Sequence, residues 1–130
     1  MRKLVLGLAG VAAAAAVLTG GVLAKDEDRG RGVSADRCVA RPLDQTKIID
    51  EKTLYIDDRS GRAVLLHMSG ACLHDRHEAI GLEFSGGMSR ICDPLDVDVT
   101  GSVMTMPSRC IIASVEALTP AQAKSYRQMR

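Results

Sequence analysis

The chain has 130 residues, a formal net charge of +1 and 46% hydrophobic residues, yet it holds no tryptophan, two tyrosines and one phenylalanine. Such a length fits one small domain. A near-neutral balance without a basic block or interleaved aromatics leaves nucleic-acid binding with little electrostatic support.

Met1, Arg2 and Lys3 form a short basic start, and Leu4 to Leu18 is an uncharged run of Ala, Leu, Val and Gly. This is the pattern of a signal peptide, residues 1–24, with cleavage expected after the small-residue stretch Val22-Leu23-Ala24. The competing reading is an uncleaved anchor, since Leu4 to Ala24 approaches the length that crosses a bilayer; a membrane partner is expected only in that case. Cys38 lies too far downstream to be acylated at such a site. Loss of Arg2 and Lys3 would lower the basic count from 17 to 15 against 16 acidic residues, a net charge of −1.

Residues 25–36, KDEDRGRGVSAD, are dense in charge and glycine with little to bury, and they are expected to form a disordered lead. From residue 37 to 118 apolar residues recur at period two or in short runs, with turn residues between them at about ten-residue intervals. The fold class expected is mainly β, a small antiparallel barrel or sandwich of about 6–8 short strands, followed by a short C-terminal helix at 119–130.

In order, Lys47 to Asp50 and Thr53 to Asp57 pair around Asp50-Glu51-Lys52, and the turn Asp58-Arg59-Ser60-Gly61 leads into Arg62 to Met68. Ile80, Leu82 and Phe84 alternate before Gly86-Gly87; Met88 to Cys92 follows. Leu95, Val97 and Val99 alternate with Asp96, Asp98 and Thr100, so the apolar set is expected to face the core. Gly101 and Pro107-Ser108 should bracket a strand over Ser102 to Met106, with a last strand at Arg109 to Val115. Thr119-Pro120-Ala121-Gln122 has the form of a capping box with proline at the first helical position. The helix that follows has a thin apolar face, Ala123, Tyr126 and Met129, and is expected to pack loosely.

Cys38, Cys72, Cys92 and Cys110 are an even set, read as two disulfides in an oxidising compartment. Three pairings are possible. Cys38 with Cys110 and Cys72 with Cys92 is expected, because the first ties the domain's beginning to its end and the second clips an internal hairpin. The absence of Cys-x-x-Cys favours structural bridges over thiol–disulfide catalysis.

Arg37-Cys38-Val39, the stretch Ile48 to Tyr55, Cys72-Leu73, the stretch Ile91 to Val97 and Cys110-Ile111-Ile112 together resemble a family of small exported bacterial proteins known only as a domain of unknown function. The likeness covers Arg37 to about Leu118, though Cys72-Leu73 lacks the Pro-Gly associated with that step. It implies export and a small β fold, and it brings no activity.

Three constellations could carry chemistry. Cys72, His74 and His77, with His67 upstream, are candidate ligands for zinc or copper; the plainer reading is an oxidised Cys72 and two surface histidines. Met104 and Met106, with Met68 and Met88, have the softness copper(I) wants, but methionine also fills gaps in a core short of aromatics. Asp96-x-Asp98-x-Thr100-Gly101 matches the start of a calcium loop and fails at its twelfth position, Pro107. No Ser or Cys sits in a nucleophile elbow. An enzyme would need Asp57, Asp58 or Asp93 gathered beside a histidine. The expectation is an exported, non-enzymatic binding module with no cofactor and an envelope protein or other exported partner. Metal handling through His67, His74 and His77 is the second reading and an enzyme the third.

Overall fold

The computed structural model describes residues 32–103 and 106–129. The signal segment, the lead up to residue 31 and Met104 lie outside the described residues. Among the described residues there are nine strands and one α-helix: β1 (Val39–Ala40), β2 (Leu43–Asp50), β3 (Thr53–Asp58), β4 (Ala63–Met68), β5 (Gly81–Phe84), β6 (Arg90–Ile91), β7 (Val97–Val103), β8 (Met106–Cys110), β9 (Ile112–Ala117) and α1 (Pro120–Gln128). They form three antiparallel sheets, ordered β1-β6, β2-β3-β4-β9 and β5-β7-β8. The arrangement is mainly β, sandwich-like rather than a closed barrel, as the alternation predicted.

The four-stranded sheet is the middle layer. One face, through Ile48, Leu54, Ile56, Val64, Leu66, Met68 and Val115, packs against Val97, Val99, Val39 and Ile91 of the smaller sheets. The opposite face presents Tyr55, Ala63 and Leu65 to Leu118 and to Ala123 of α1. β3 and β4 are thus covered on both sides, so nearly every residue of TLYIDD and AVLLHM is buried rather than every second one.

Helix α1 starts as its sequence predicts: Thr119 Oγ1 accepts the Gln122 N–H at 3.3 Å and Gln122 Oε1 accepts the Thr119 N–H at 2.9 Å. It is held more firmly than its thin apolar face suggested. Tyr126 stacks on Tyr55 at 5.6 Å between ring centroids. Arg127 Nε donates to the buried Asp57 at 2.6 Å. Lys47 Nζ donates to the carbonyls of Tyr126, Arg127 and Met129 at the helix's negative end.

Both cysteine pairings differ from the expectation. Cys38 is bonded to Cys92 and Cys72 to Cys110, and no cysteine is free. The first bridge joins neighbours across a strand pair, and the second joins the segment after β4 to β8. Val39 pairs with Ile91, which sets the residues just outside that pair, Cys38 and Cys92, side by side. Cys110 lies on β8, opposite Val99. Two residues on from Val99, a Cβ at Gly101 would come within 3.1 Å of the Cys72 carbonyl, so the segment bearing Cys72 lies against this sheet.

Strand boundaries near the C-terminus also move. β7 runs through Gly101 instead of stopping there, and Pro107 lies inside β8, opposite Ser102. β8 is an edge strand, where a missing N–H is tolerated. The single strand expected at Arg109 to Val115 is divided, because the chain changes sheets at Ile111, which is 70% exposed. Leu95, expected in the core, is 82% exposed. Asp93 and Asp96 close a turn around it, Asp96 N–H bonding the Asp93 carbonyl at 3.0 Å, so the alternation starts only at Val97. At the other end, the lead gains structure earlier than residue 37: Val33 N–H donates to the Cys92 carbonyl at 2.7 Å. A Cβ on Gly32 would lie 2.6 Å from that same carbonyl, a contact only glycine permits.

Candidate functional site at the open flank of the sandwich

Asp57 and Asp58 are buried side by side on β3, and they face opposite sides of the sheet. Asp57 accepts Gln45 N–H at 2.7 Å, the Tyr55 hydroxyl at 2.7 Å and Arg127 Nε at 2.6 Å. Burial first, then the Asp57 carboxylate, pushes the Tyr55 phenol above its ordinary value. Asp58 accepts Ala40 N–H, Ser60 N–H, Ser60 Oγ–H and Arg62 N–H at 2.6–3.1 Å. Both carboxylates are saturated by donors that join β1, β2, the β3–β4 turn and α1. They act as staples, and no histidine is among these partners.

The histidines do not converge. His67 Nε2 lies 2.7 Å from Glu116 Oε2 across the β4–β9 pair. His74 and His77 belong to the segment that follows Cys72 and runs past β2. His77 lines a cleft of about 300 Å³ with Thr46, Lys47, Ile48, Ile49, Arg76 and Met129. His74 lines a neighbouring cleft of about 220 Å³ with Asp50, Glu51 and Asp75. The carboxylates beside a histidine are therefore not Asp57, Asp58 or Asp93. Asp93 instead bonds the Leu95 N–H at 3.1 Å in its turn. Among the described residues no group of three His, Cys, Asp or Glu side chains is placed to hold a metal. Met68 is buried in the core, whereas Met88 and Met106 are exposed. Of the calcium-like stretch, Asp96 accepts the N–H groups of Cys92 and Asp93, and Asp98 pairs with Arg109 at 2.7 Å.

The His74 segment is itself anchored. Glu78 accepts the N–H of His74 at 2.8 Å and of Ser102 at 2.9 Å. Burial opposes ionisation of Glu78, but these donors together outweigh it and hold the carboxyl below its ordinary value.

A wider concavity lies where the two larger sheets fail to meet. β2 and β5 are the edge strands on this side, and they belong to different sheets. Between them is a shallow bowl of about 620 Å³ lined by Arg41, Pro42, Leu43, Leu82 and Phe84. Leu43, Leu82 and Phe84 pack against the core from inside but stay half-buried. Arg41 covers the Phe84 ring, its guanidinium carbon 4.3 Å from the ring centroid. The backbone of Arg41 is fixed by its N–H, which donates to the Ser89 carbonyl at 2.8 Å. The alternation of Ile80, Leu82 and Phe84 marks these residues as core-facing, and it does not reveal that their sheet stops at β5. A usable signal was the brevity of that strand, closed at once by Gly86-Gly87, which take left-handed conformations at φ 58° and 74°.

Packed sheets with one disulfide closing the β1–β6 pair and another tying the Cys72 segment to β8, backed by a capped helix and left open along one flank, define a small stapled β domain. The chain belongs to the family of unknown function DUF6491, whose model matches residues 1–130. No match was found among curated proteins or solved structures.

Proposed function

We propose that this protein is an exported, non-enzymatic binding module that docks a protein partner of the cell envelope, or another exported protein, on the open flank between β2 and β5. The observation that carries the reading is the bowl itself: core side chains Leu43, Leu82 and Phe84 left half-covered between two unjoined edge strands, with Arg41 stacked on the one phenylalanine. An aromatic and an arginine side chain at an apolar centre are the composition that interface cores favour. A shallow apolar surface with a charged rim suits a protein partner. Two disulfides are compatible with an oxidising compartment outside the cytoplasm. No helix among the described residues is long and apolar enough to cross a membrane. Cleavage of residues 1–24 would complete the route.

Site-specific photo-cross-linking in the native host tests the reading. A photoreactive residue at Phe84 or Leu82 is expected to give one discrete cross-linked species, and the same residue at Ser125, on the exposed side of α1, none. Cross-links that are equal at both positions, or absent from the flank, would overturn it.

A further inference from the structure

We infer that the partner segment binds as an extended strand added to β5, with an acidic side chain of that segment meeting Arg41; this deepens the docking reading above and rests on it. The direction of the free main-chain groups carries the inference. Ser85 N–H donates to the Asp96 carbonyl at 2.9 Å, one step beyond the Phe84–Val97 pair. Hydrogen-bonded pairs alternate in an antiparallel ladder, so Glu83 opposite Asp98 and Gly81 opposite Thr100 bond β7. The N–H and carbonyl groups of Leu82 and Phe84 consequently point away from β7, toward the flank. No backbone partner from another element reaches them among the described residues.

Of the two edges on this flank, β5 is the receptive one. β2 is broken by two register shifts, at Leu43/Thr46 and Ile48/Asp50, and its Lys47 is engaged with the end of α1. Bulges and an edge lysine are devices that discourage strand addition. β5 carries neither, and its four pairs with β7 run without a shift. An added strand would set alternate side chains over Leu43, Leu82 and Phe84, while its other residues face out, as in β-augmentation generally.

Charge selects the chemistry of the segment. The bowl's lining contains one cation, Arg41, and no carboxylate. Among the described residues no acid pairs with Arg41. Its guanidinium, already placed over Phe84, can receive a carboxylate from the incoming strand without moving. The occupant is therefore an extended protein segment whose bowl-facing residues, every second one along the strand, include apolar side chains over Leu82 and Phe84 and an acidic one at Arg41.

The test uses the full chain, nitrogen-15 labelled, and three end-blocked hexapeptides: Val-Ser-Glu-Ser-Val-Ser, which carries valine and glutamate on one face, its lysine counterpart, and a version of the first methylated on alternate backbone nitrogens. The acidic peptide is expected to shift the amides of Leu82 and Phe84 and to bind at least about tenfold more tightly than the other two. The substitution Arg41→Gln, with the remaining amide spectrum unchanged, should remove that preference over the lysine peptide. Equal binding of the methylated peptide, shifts confined to β2, or no shift at millimolar peptide would overturn strand addition while leaving any Phe84 cross-link standing. Concentration-dependent shifts at Leu82 and Phe84 without peptide would place a second copy of the chain on β5 and would overturn it too. Loss of the Phe84 cross-link itself would remove the docking face on which the inference rests.

Discussion

Arg127, in the last turn of the terminal helix, donates its Nε–H to the carboxylate of Asp57 at 2.6 Å, and Asp57 is 0% exposed. One bond thus ties the end of the chain to the central strand of its main sheet. Removing either partner has unequal consequences. Asp57→Ala orphans the Gln45 N–H, the Tyr55 hydroxyl and Arg127 together and is expected to cost about 3–5 kcal/mol. Arg127→Ala leaves Asp57 two donors and, with its side chain partly in water, should cost about 1–3 kcal/mol. Urea unfolding monitored on both variants checks the order; equal losses would show that the helix, not the carboxylate, sets the effect.

Asp58 gives a pH signature. Burial resists its ionisation, but hydrogen bonds from Ser60, Ala40 and Arg62 and the charge of Arg62 hold its carboxyl below the ordinary 3.8. A carboxyl depressed in the folded state contributes stability that is full above its unfolded value and fades as the pH falls through the folded one. Acid titration of unfolding should therefore show a loss below about pH 3.8 that Asp58→Asn reduces. That variant should also be destabilised at pH 7 by roughly 2 kcal/mol.

The cysteine pairing is checked by non-reducing digestion and mass spectrometry, which should recover Cys38 joined to Cys92 and Cys72 to Cys110. With separations of 54 and 38 residues, each bridge is expected to stabilise by about 4 kcal/mol through the unfolded chain. Each bridge joins one buried sulfur, Cys38 or Cys110, to one half-buried one, Cys92 or Cys72, so both should resist mild reductant to a similar degree. Fragments linking Cys38 to Cys110 would contradict the fold.

Gly101 offers a steric test. A Cβ there would sit 3.1 Å from the Cys72 carbonyl and 3.6 Å from the Glu78 carboxylate. Gly101→Ala should displace the segment around His74 and lower stability by about 1–2 kcal/mol. The amide of Ser102, which donates to Glu78, should exchange faster in the variant.

Much of this architecture is legible in the chain. The β2–β3 turn announces itself in Asp50-Glu51-Lys52, where Asp50 Oδ1 accepts the Lys52 N–H at 2.8 Å, and the capping box of Thr119 and Gln122 needs no tertiary information. What is not legible depends on contacts between sheets. Gly101 and Pro107 look like strand breakers until one is seen under the Cys72 carbonyl and the other on an edge. The cysteine pairs follow which segments lie against which strands, which no spacing reveals. Arg127 and Asp57 carry no local mark of their partnership. The candidate site was hardest to see, because Leu82 and Phe84 have the alternation of core residues, and only the absence of a strand beside β5 turns them outward.

The most direct test of the docking account is hydrogen exchange at the Leu82 and Phe84 amides, read by mass spectrometry on the protein in its native exported fraction and again after purification alone. The account predicts slow exchange at these two amides in the fraction and fast exchange in isolation, with the β3 and β4 core unchanged. Identical exchange of the β5 amides in both samples, with new protection elsewhere or nowhere, would contradict it.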